Sequence, residues 1–438
     1  MNEILPTPPI PGRALSRQPD SLWAATAPPG PELDGLTGRR TAEVAVIGAG
    51  YTGLSTALHL AAAGIEVVVI DSEEPGWGAS GRNGGQVLPG LRLQRAELQR
   101  IFGSELGNLA YETAESAATF LYDLVARHGI DCDLARGGSI RLAHSKRALA
   151  LLQENCAALI GEGVPARMLD ADAVARETGT LAYLGGRLDP RSGTLHPLKY
   201  ARGLAAAALR TGAAIYGRSP ATALARDGER WRVTSAQGEI FARHVVIATN
   251  AYTDRLWPQL AATLLPLNSF QIATAPLDAV QRASVLPSRP CFSDTRRLIL
   301  YAQRSEDHRL VLGGRASFTL ADRAADYKVL HRVLIGLYPQ LAEIPIEYRW
   351  MGRLALTRDF LPHLHAPAKG LLIAVGFNGK GVAMTTLMGK IIADHISDPA
   401  QTVPFPITGV HPIRFHAFRQ PALHLAMHYH TLMDRFGR

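Results

Sequence analysis

The sequence predicts an α/β protein: a domain built on a parallel sheet, interleaved with an α+β part built on an antiparallel sheet. Three observations lead there. A strand–helix–strand unit occupies residues 43–70, the crossover that neighbouring parallel strands need. Polar and apolar side chains alternate over 267–275, 297–304, 309–314 and 346–352, the pattern of antiparallel strands with one face lining a pocket. A strand, a glycine turn and a helix return at 371–395. Parallel signals on both sides of an antiparallel middle imply interleaving. At 438 residues the chain exceeds the ~100–200 residues of one domain. The expected division is an N-terminal arm (1–40), a first domain (41–95, 150–262 and 355–400), a second (96–149 and 263–354) and a tail (401–438).

Composition narrows the class. Hydrophobic residues make up 47% and charged residues 19%, so there is apolar material for large cores and the bulk is not disordered. The net charge of +8 is spread thinly, without a basic run. That disfavours nucleic acid as a partner and favours anionic small molecules. Cys132, Cys156 and Cys291 lie far apart and form no CxxC, which fits a reducing compartment and no structural metal. The arm lacks the apolar core of a secretory signal, and no window reaches the ~18 apolar residues of a membrane span. A soluble cytoplasmic protein is expected.

Along the chain, Pro6-Thr7-Pro8-Pro9 opens an extended arm with a short helix around Ser21–Ala25. Glu43–Ile47 reads as a buried strand ending at Gly48, Tyr51–Ala63 as an Ala/Leu-rich helix stopped by Gly64, and Ile65–Ile70 as the next strand. Helical periodicity marks 105–128 and 145–161, and Pro197–Arg210 is a helix with proline in its first turn. Asp227-Gly228 and Gln237-Gly238 are hairpin turns within 214–248. Leu371–Val375 is a strand and Val382–His395 a helix.

Three glycine-rich motifs carry chemistry. In Gly48-Ala49-Gly50-Tyr51-Thr52-Gly53 the turn between strand and helix offers bare backbone N–H groups and the positive end of a helix. A dinucleotide pyrophosphate needs both. Asp71 follows 18 residues after Gly53, where a carboxylate can accept ribose hydroxyls. This motif alone leaves NAD and FAD open. The second, Gly76-Trp77-Gly78-Ala79-Ser80-Gly81-Arg82-Asn83-Gly84-Gly85-Gln86, points to FAD: a glycine-rich loop can lie along a pyrophosphate and ribityl chain, with Ser80, Arg82 and Asn83 as polar contacts. The third, Gly376-Phe377-Asn378-Gly379-Lys380-Gly381, places a second helix N-terminus where negative charge on a flavin would sit.

Together with Val245-Val246-Ile247-Ala248-Thr249-Asn250 and Ser192-Gly193-Thr194-Leu195-His196-Pro197, these motifs resemble the D-amino-acid-oxidase-type FAD oxidoreductases, nearest to the gamma-glutamylputrescine oxidase and L-pipecolate oxidase group. The resemblance runs over almost the whole chain, from Ser21-Leu22-Trp23-Ala24-Ala25-Thr26-Ala27 to Pro404-Phe405-Pro406 and Arg414-Phe415. It implies a glutathione-reductase-like FAD domain and a substrate domain. Gly48, Gly50, Tyr51, Thr52, Gly53 and Asp71 would hold the ADP half. Ser80, Arg82, Asn83, Gly84, Gly85 and Gln86 would line the pyrophosphate, ribityl chain and flavin edge. Ala221, expected in a hairpin strand, would meet the adenine, with Ala248 and Asn250 beside the cofactor. Gly376, Asn378, Gly379, Lys380, Gly381 and Val382 would approach the flavin pyrimidine.

The chain departs from its relatives in three places. No cysteine lies near 349–354, so FAD should be non-covalent; Lys380 stands where histidine is usual; and Gln303 falls where an arginine is usual. The implied reaction is oxidation of a C–N bond in an amine or amino acid, with O2 or an electron carrier as acceptor. An NAD-linked dehydrogenase and a non-catalytic flavin subunit are the alternatives. Substrate contacts are expected from Gln271, Tyr301, Gln303, Arg315 and Trp350, with Arg315, Arg349 or Arg353 as a carboxylate clamp. Lys380 is the candidate catalytic group, through an ammonium near the flavin, against a side chain turned to solvent or the substrate entrance. His196 reads as a packed residue at a helix start, and His363 and His365 as solvated loop residues without a third metal ligand.

Overall fold

The structure, a computed structural model, describes residues 19–317, 324–419 and 421, without the side chains of 315–317. Short apolar runs of β-branched residues pair as the centre of a nine-stranded sheet. Leu371–Val375, Gly238–Ile247, Gly38–Ile47, Val67–Ile70 and Ala214–Tyr216 lie side by side and parallel. The hairpin Ala223–Asp227/Arg230–Thr234 joins antiparallel to Gly238–Ile247, while on the other side His363–Ala368 pairs antiparallel with Leu371–Val375 and the two-residue strand Ile407–Thr408 forms the edge. Helices Tyr51–Ala62, Ser104–His128, Pro197–Arg210 and Gly381–Ser397 share one buried cluster with Val44, Val46, Val67 and Val69. Gly389 and Gly53 make that packing possible. A Cβ on Gly389 would meet the Thr52 carbonyl at 2.7 Å, and one on Gly53 would overlap the Gly48 carbonyl.

The second sheet has eight strands in the order Ile346–Leu356, Leu265–Thr274, Leu310–Ser317, Tyr301–Arg304, Cys291–Asp294, Ser139–Leu142, Gly185–Asp189 and Arg167–Asp170. Its alternation sorts the two faces. Phe270, Ile272, Leu312, Ile140 and Leu142 turn to Leu330 and Leu334 of the helix Ala324–Leu337. Ser269, Gln271, Tyr301 and Arg141 turn the other way, into a cavity.

The expected division is corrected at two places. The helix Ser104–His128, assigned by sequence to the second domain, packs on the parallel-sheet helices. The strands Ser139–Leu142, Arg167–Asp170 and Gly185–Asp189 join the eight-stranded sheet, although two of them fall in 150–262. These strands have four or five residues and pair with partners as distant as Cys291–Asp294, so local pattern does not mark them. The short helix Leu22–Thr26 buries Leu22 and Trp23 fully, so the arm is part of the fold from there on.

Two glycines should respond oppositely to alanine. Gly53→Ala forces the helix off the strand and should cost ~1–3 kcal/mol or more. Gly336→Ala, in a helix with open space around it, should be stabilising by ~0.5 kcal/mol. Thermal melts of both variants check this; equal midpoints would contradict it.

Candidate cofactor and substrate site

The first glycine motif forms the turn that the sequence predicts. Gly48 has φ +112°, and a Cβ there would meet the Ala248 carbonyl at 3.0 Å. Asp71 ends its strand beside this turn. Its carboxylate accepts the Ala49 N–H at 2.6 Å and the Glu73 N–H at 2.9 Å. Burial pushes the Asp71 pKa up to about 6, and these two N–H donors pull against that rise. At the start of the helix the Tyr51 N–H donates to the Ser80 hydroxyl at 3.0 Å, which ties the first motif to the second.

The second motif is held by its carbonyls. Arg82 O accepts from Gln271 Nε2 at 2.5 Å and from Trp350 Nε1 at 3.1 Å. Asn83 O accepts from Trp23 Nε1 at 2.9 Å, and Gly84 O from Gln303 Nε2 at 2.7 Å. Gln86 reaches the other way, donating to Phe292 O and Ala302 O. Inside the loop, Asn83 donates to Ala79 O and Ser80 O and accepts the Gly85 N–H at 2.8 Å. A Cβ on Gly84 would meet the Tyr301 ring at 2.5 Å, and Gly85 has φ +66°. The Arg82 guanidinium donates to Trp77 O at 2.7 Å and lies 4.0 Å from the Trp77 ring; burial lowers its pKa.

The third motif is braced in the same manner. Asn250 Oδ1 accepts the Gly376 N–H at 2.9 Å, and the buried Asn378 side chain accepts the Thr357 N–H at 2.9 Å while donating to Gly376 O. Lys380 Nζ donates to Pro89 O at 3.1 Å and Leu91 O at 2.9 Å. Burial lowers its pKa to about 8; Glu115 opposes this, while Arg187, Arg141 and Arg92 add to it. The ammonium is thus turned inward, not to solvent. Its two carbonyl acceptors offset its unfavourable place at a helix start.

A cavity of about 1140 Å³ lies between the two sheets. Of the predicted cofactor residues, Tyr51, Ser80, Arg82, Asn83, Gly84, Gln86, Asn250, Asn378, Gly379, Lys380, Gly381 and Val382 line it. Gly48, Gly50, Thr52, Gly53, Asp71, Gly85, Ala221, Ala248 and Gly376 do not. Gly48, Gly50 and Asp71 instead cluster at the carboxyl ends of the parallel strands. Ala221 lies on a loop two residues before its strand begins, not in it. Thr52 is buried at the contact with the helix Gly381–Ser397.

The substrate expectations need correction. Gln271 and Tyr301 line the cavity, but Gln303 and Trp350 do not. Gln271, Gln303 and Trp350 are 1%, 3% and 1% exposed, and their donors are committed to the glycine loop. Alternation gave their face but not their partner. The side chain of Arg315 lies outside the described residues. Arg349 is exposed, while Arg353 lines the cavity with its guanidinium 5.3 Å from the Tyr252 ring. His196 caps its helix by accepting the Lys199 N–H, bonds Thr26 through Nε2, and has its pKa pushed down to about 3, mainly by burial. His363 pairs with Asp359 and His365 with Thr408, and no metal-holding cluster occurs among the described residues. Sequence reasoning missed the Trp23 clamp and the cavity-lining Arg92, Arg141 and Arg187, which lie outside any motif.

FAD fits these residues on structural grounds: side chains at Gly48, Gly84 or Gly85 would fill or strain the cradle, and the cavity opens against it. The clamps should therefore act on the cofactor. Gln303→Ala leaves the Gly84 carbonyl without this donor, which costs ~1–3 kcal/mol, while Trp350→Phe leaves the Arg82 carbonyl with Gln271 still bonded, which costs ~0.5–1.5 kcal/mol. FAD release followed by fluorescence should show affinity falling about tenfold for Gln303→Ala and about threefold for Trp350→Phe. Unchanged affinity in both would contradict this role.

The family model described as FAD dependent oxidoreductase (DAO) matches residues 43–395. The gamma-glutamylputrescine oxidoreductase of Escherichia coli K12 is 31% identical over 436 residues, 97% of this chain and 100% of that protein. The probable oxidoreductase OrdL of Rhizobium meliloti is 30% identical over 425 residues, 95% of this chain and 97% of that protein. Among solved structures, glycine oxidase from Geobacillus kaustophilus superposes with a TM-score of 0.72 at 22% identity, covering 86% of this chain and 99% of that one. That likeness shows the fold. The clamped glycine cradle and the match over most of the chain agree, and the chain belongs to the DAO family of FAD-dependent oxidoreductases.

Proposed function

We propose that this chain oxidises a C–N bond of an amine or amino acid to an imine, in the cytoplasm, with O2 as electron acceptor. Water hydrolyses the imine to an aldehyde or ketone, and O2 leaves as H2O2. The observation that carries this reading is the cavity joining the FAD cradle to a polar sheet face. It is supported by relatives named for gamma-glutamylputrescine and for glycine, both amines. For location, no helix among the described residues is long and apolar enough to cross a membrane.

FAD supplies the hydride acceptor. The chain's residues supply the environment. Arg92, Arg353 and Lys380 line the cavity, and nearby positive charge disfavours an ammonium. The bound amine is thereby held neutral, the form whose neighbouring C–H can leave with its electron pair. Lys380 is proposed as the group whose charge favours electron gain in the cavity.

The test is anaerobic bleaching of the yellow protein against a panel of amines and amino acids, followed by air and a peroxide assay. At least one amine should bleach the colour, and air should restore it with H2O2 formed. A colour that no amine bleaches would contradict the reading. The Lys380 charge is present below about pH 8 and lost as pH rises through that value. Relative to Lys380→Met, the parent bleaching rate should therefore fall by up to about tenfold between roughly pH 7 and 9. Parallel pH profiles would remove Lys380 from the site.

A further inference from the structure

Beside the glycine loop the cavity is rich in hydrogen-bond donors and poor in side-chain acceptors. Arg82, Arg92, Arg353 and Lys380 line it, and these groups only donate. Among the described residues the one carboxylate in the lining, Asp189, binds Arg191. The amide oxygens close to the loop are taken: Asn83 Oδ1 by the Gly85 N–H, Asn250 Oδ1 by the Gly376 N–H and Asn378 Oδ1 by the Thr357 N–H. The hydroxyls of Ser269 and Tyr301 bond each other at 2.9 Å. Gln271 Oε1 has no partner, but it is buried out of reach.

Gln86 differs. It ends the glycine loop, is half-buried and lines the cavity. Both hydrogens of its Nε2 are used, on Phe292 O at 2.9 Å and on Ala302 O at 3.1 Å. Phe292 and Ala302 are cross-strand partners in the antiparallel sheet, so the amide is held by two adjacent strands at once. Turning it over would set Oε1 against two carbonyl oxygens, a repulsion that fixes which atom faces the sheet. Among the described residues no donor meets Oε1. A carbonyl oxygen of locked orientation is therefore left for a ligand, where the loop meets the cavity.

We infer that Gln86 Oε1 accepts an N–H of the substrate's reacting nitrogen, and that the enzyme consequently takes amines that keep an N–H and rejects tertiary ones. The inference rests on the amine-oxidation reading and adds a residue that selects the substrate. A neutral amine offers a lone pair and its N–H groups. As the C–H bond breaks with its electron pair, the lone pair becomes the second bond between carbon and nitrogen. A donor on that lone pair would oppose the change, whereas an acceptor on the N–H leaves it free. Positive charge then develops on nitrogen, its N–H becomes a stronger donor, and the bond to Oε1 strengthens as the reaction proceeds. The proton that nitrogen finally loses passes to water. In a cavity lined by cations, an oriented carbonyl is the group that can offset this charge.

The test needs two ligands of one shape that differ only in the donor. Pyrrole has a ring N–H and furan an oxygen in its place. Neither has a saturated carbon to oxidise. Binding to the FAD-loaded enzyme is read from the change in flavin absorbance. Pyrrole should bind about threefold to tenfold tighter than furan. Gln86→Met removes the acceptor; Gln86→Lys removes it while keeping a donor for Phe292 O and Ala302 O. Both variants should bring the two ligands to within about twofold. A secondary amine that bleaches the parent should do so at least about tenfold faster than its N-methyl derivative. A parent that does not bind pyrrole or does not prefer it, a preference undiminished in both variants, or an N-methyl derivative that bleaches as fast would overturn the assignment. Loss of FAD from both variants would assign Gln86 to the cofactor and overturn it too. If no amine bleaches the flavin, the oxidation reading fails while the pyrrole preference still reports on Gln86. If amines bleach it and pyrrole is not preferred, the Gln86 contact alone fails.

Discussion

The structure depends on a requirement of the loop 76–86: a chain stripped of side chains so that a cofactor can lie on it must be held by its backbone. Three successive carbonyls, of Arg82, Asn83 and Gly84, are each fixed by an amide or indole donor from elsewhere in the fold. A glycine-rich loop left to itself has more conformations to lose than any other. These donors remove that freedom, and they satisfy carbonyls that would otherwise be buried unpaired.

That requirement explains why the two sheets interleave. Gln271, Gln303 and Trp350 belong to the antiparallel sheet, yet their hydrogen bonds go to the loop that leaves the parallel one. The N-terminal helix serves the same purpose. Trp23 sits edge-on to Trp350 and to His196, with its indole N–H on Asn83 O, and His196 is kept neutral by burial behind it. The same sheet face continues past Tyr301 to Arg141 and Arg187, so a single surface holds the cradle at one end and offers positive charge at the other.

Much of this was legible in the sequence, for physical reasons that differ by element. The glycine motifs announce themselves because only glycine tolerates φ +112° at Gly48 or the space left beside the Tyr301 ring at Gly84. The helices Tyr51–Ala62, Ser104–His128, Lys146–Gly161, Pro197–Arg210 and Gly381–Ser397 and the strands Leu265–Thr274, Tyr301–Arg304, Leu310–Ser317 and Ile346–Leu356 follow from periodicity, which is local. The strand Cys291–Asp294 and the helix Ala324–Leu337 were not read from it. The partners of Gln271, Gln303 and Trp350 were not legible: alternation says that a side chain faces away from a core, not what stands there. Arg141 and Arg187 escaped for a related reason, since they sit on short strands whose register is set by residues up to 152 positions away. Lys380 was noticed as a cation at a helix start, but its carbonyl partners, Pro89 and Leu91, lie in a loop with no pattern of its own.

The central claim is that the protein, not the cofactor, fixes the cradle. Hydrogen exchange of the amides of residues 83–87, measured in protein freed of FAD, tests it most directly. The clamps predict that the Gly85 N–H, bonded to Asn83, and its neighbours stay protected without FAD, within about tenfold of the loaded enzyme. Exchange at the rate of an unstructured chain, with protection appearing only when FAD is added, would contradict the account.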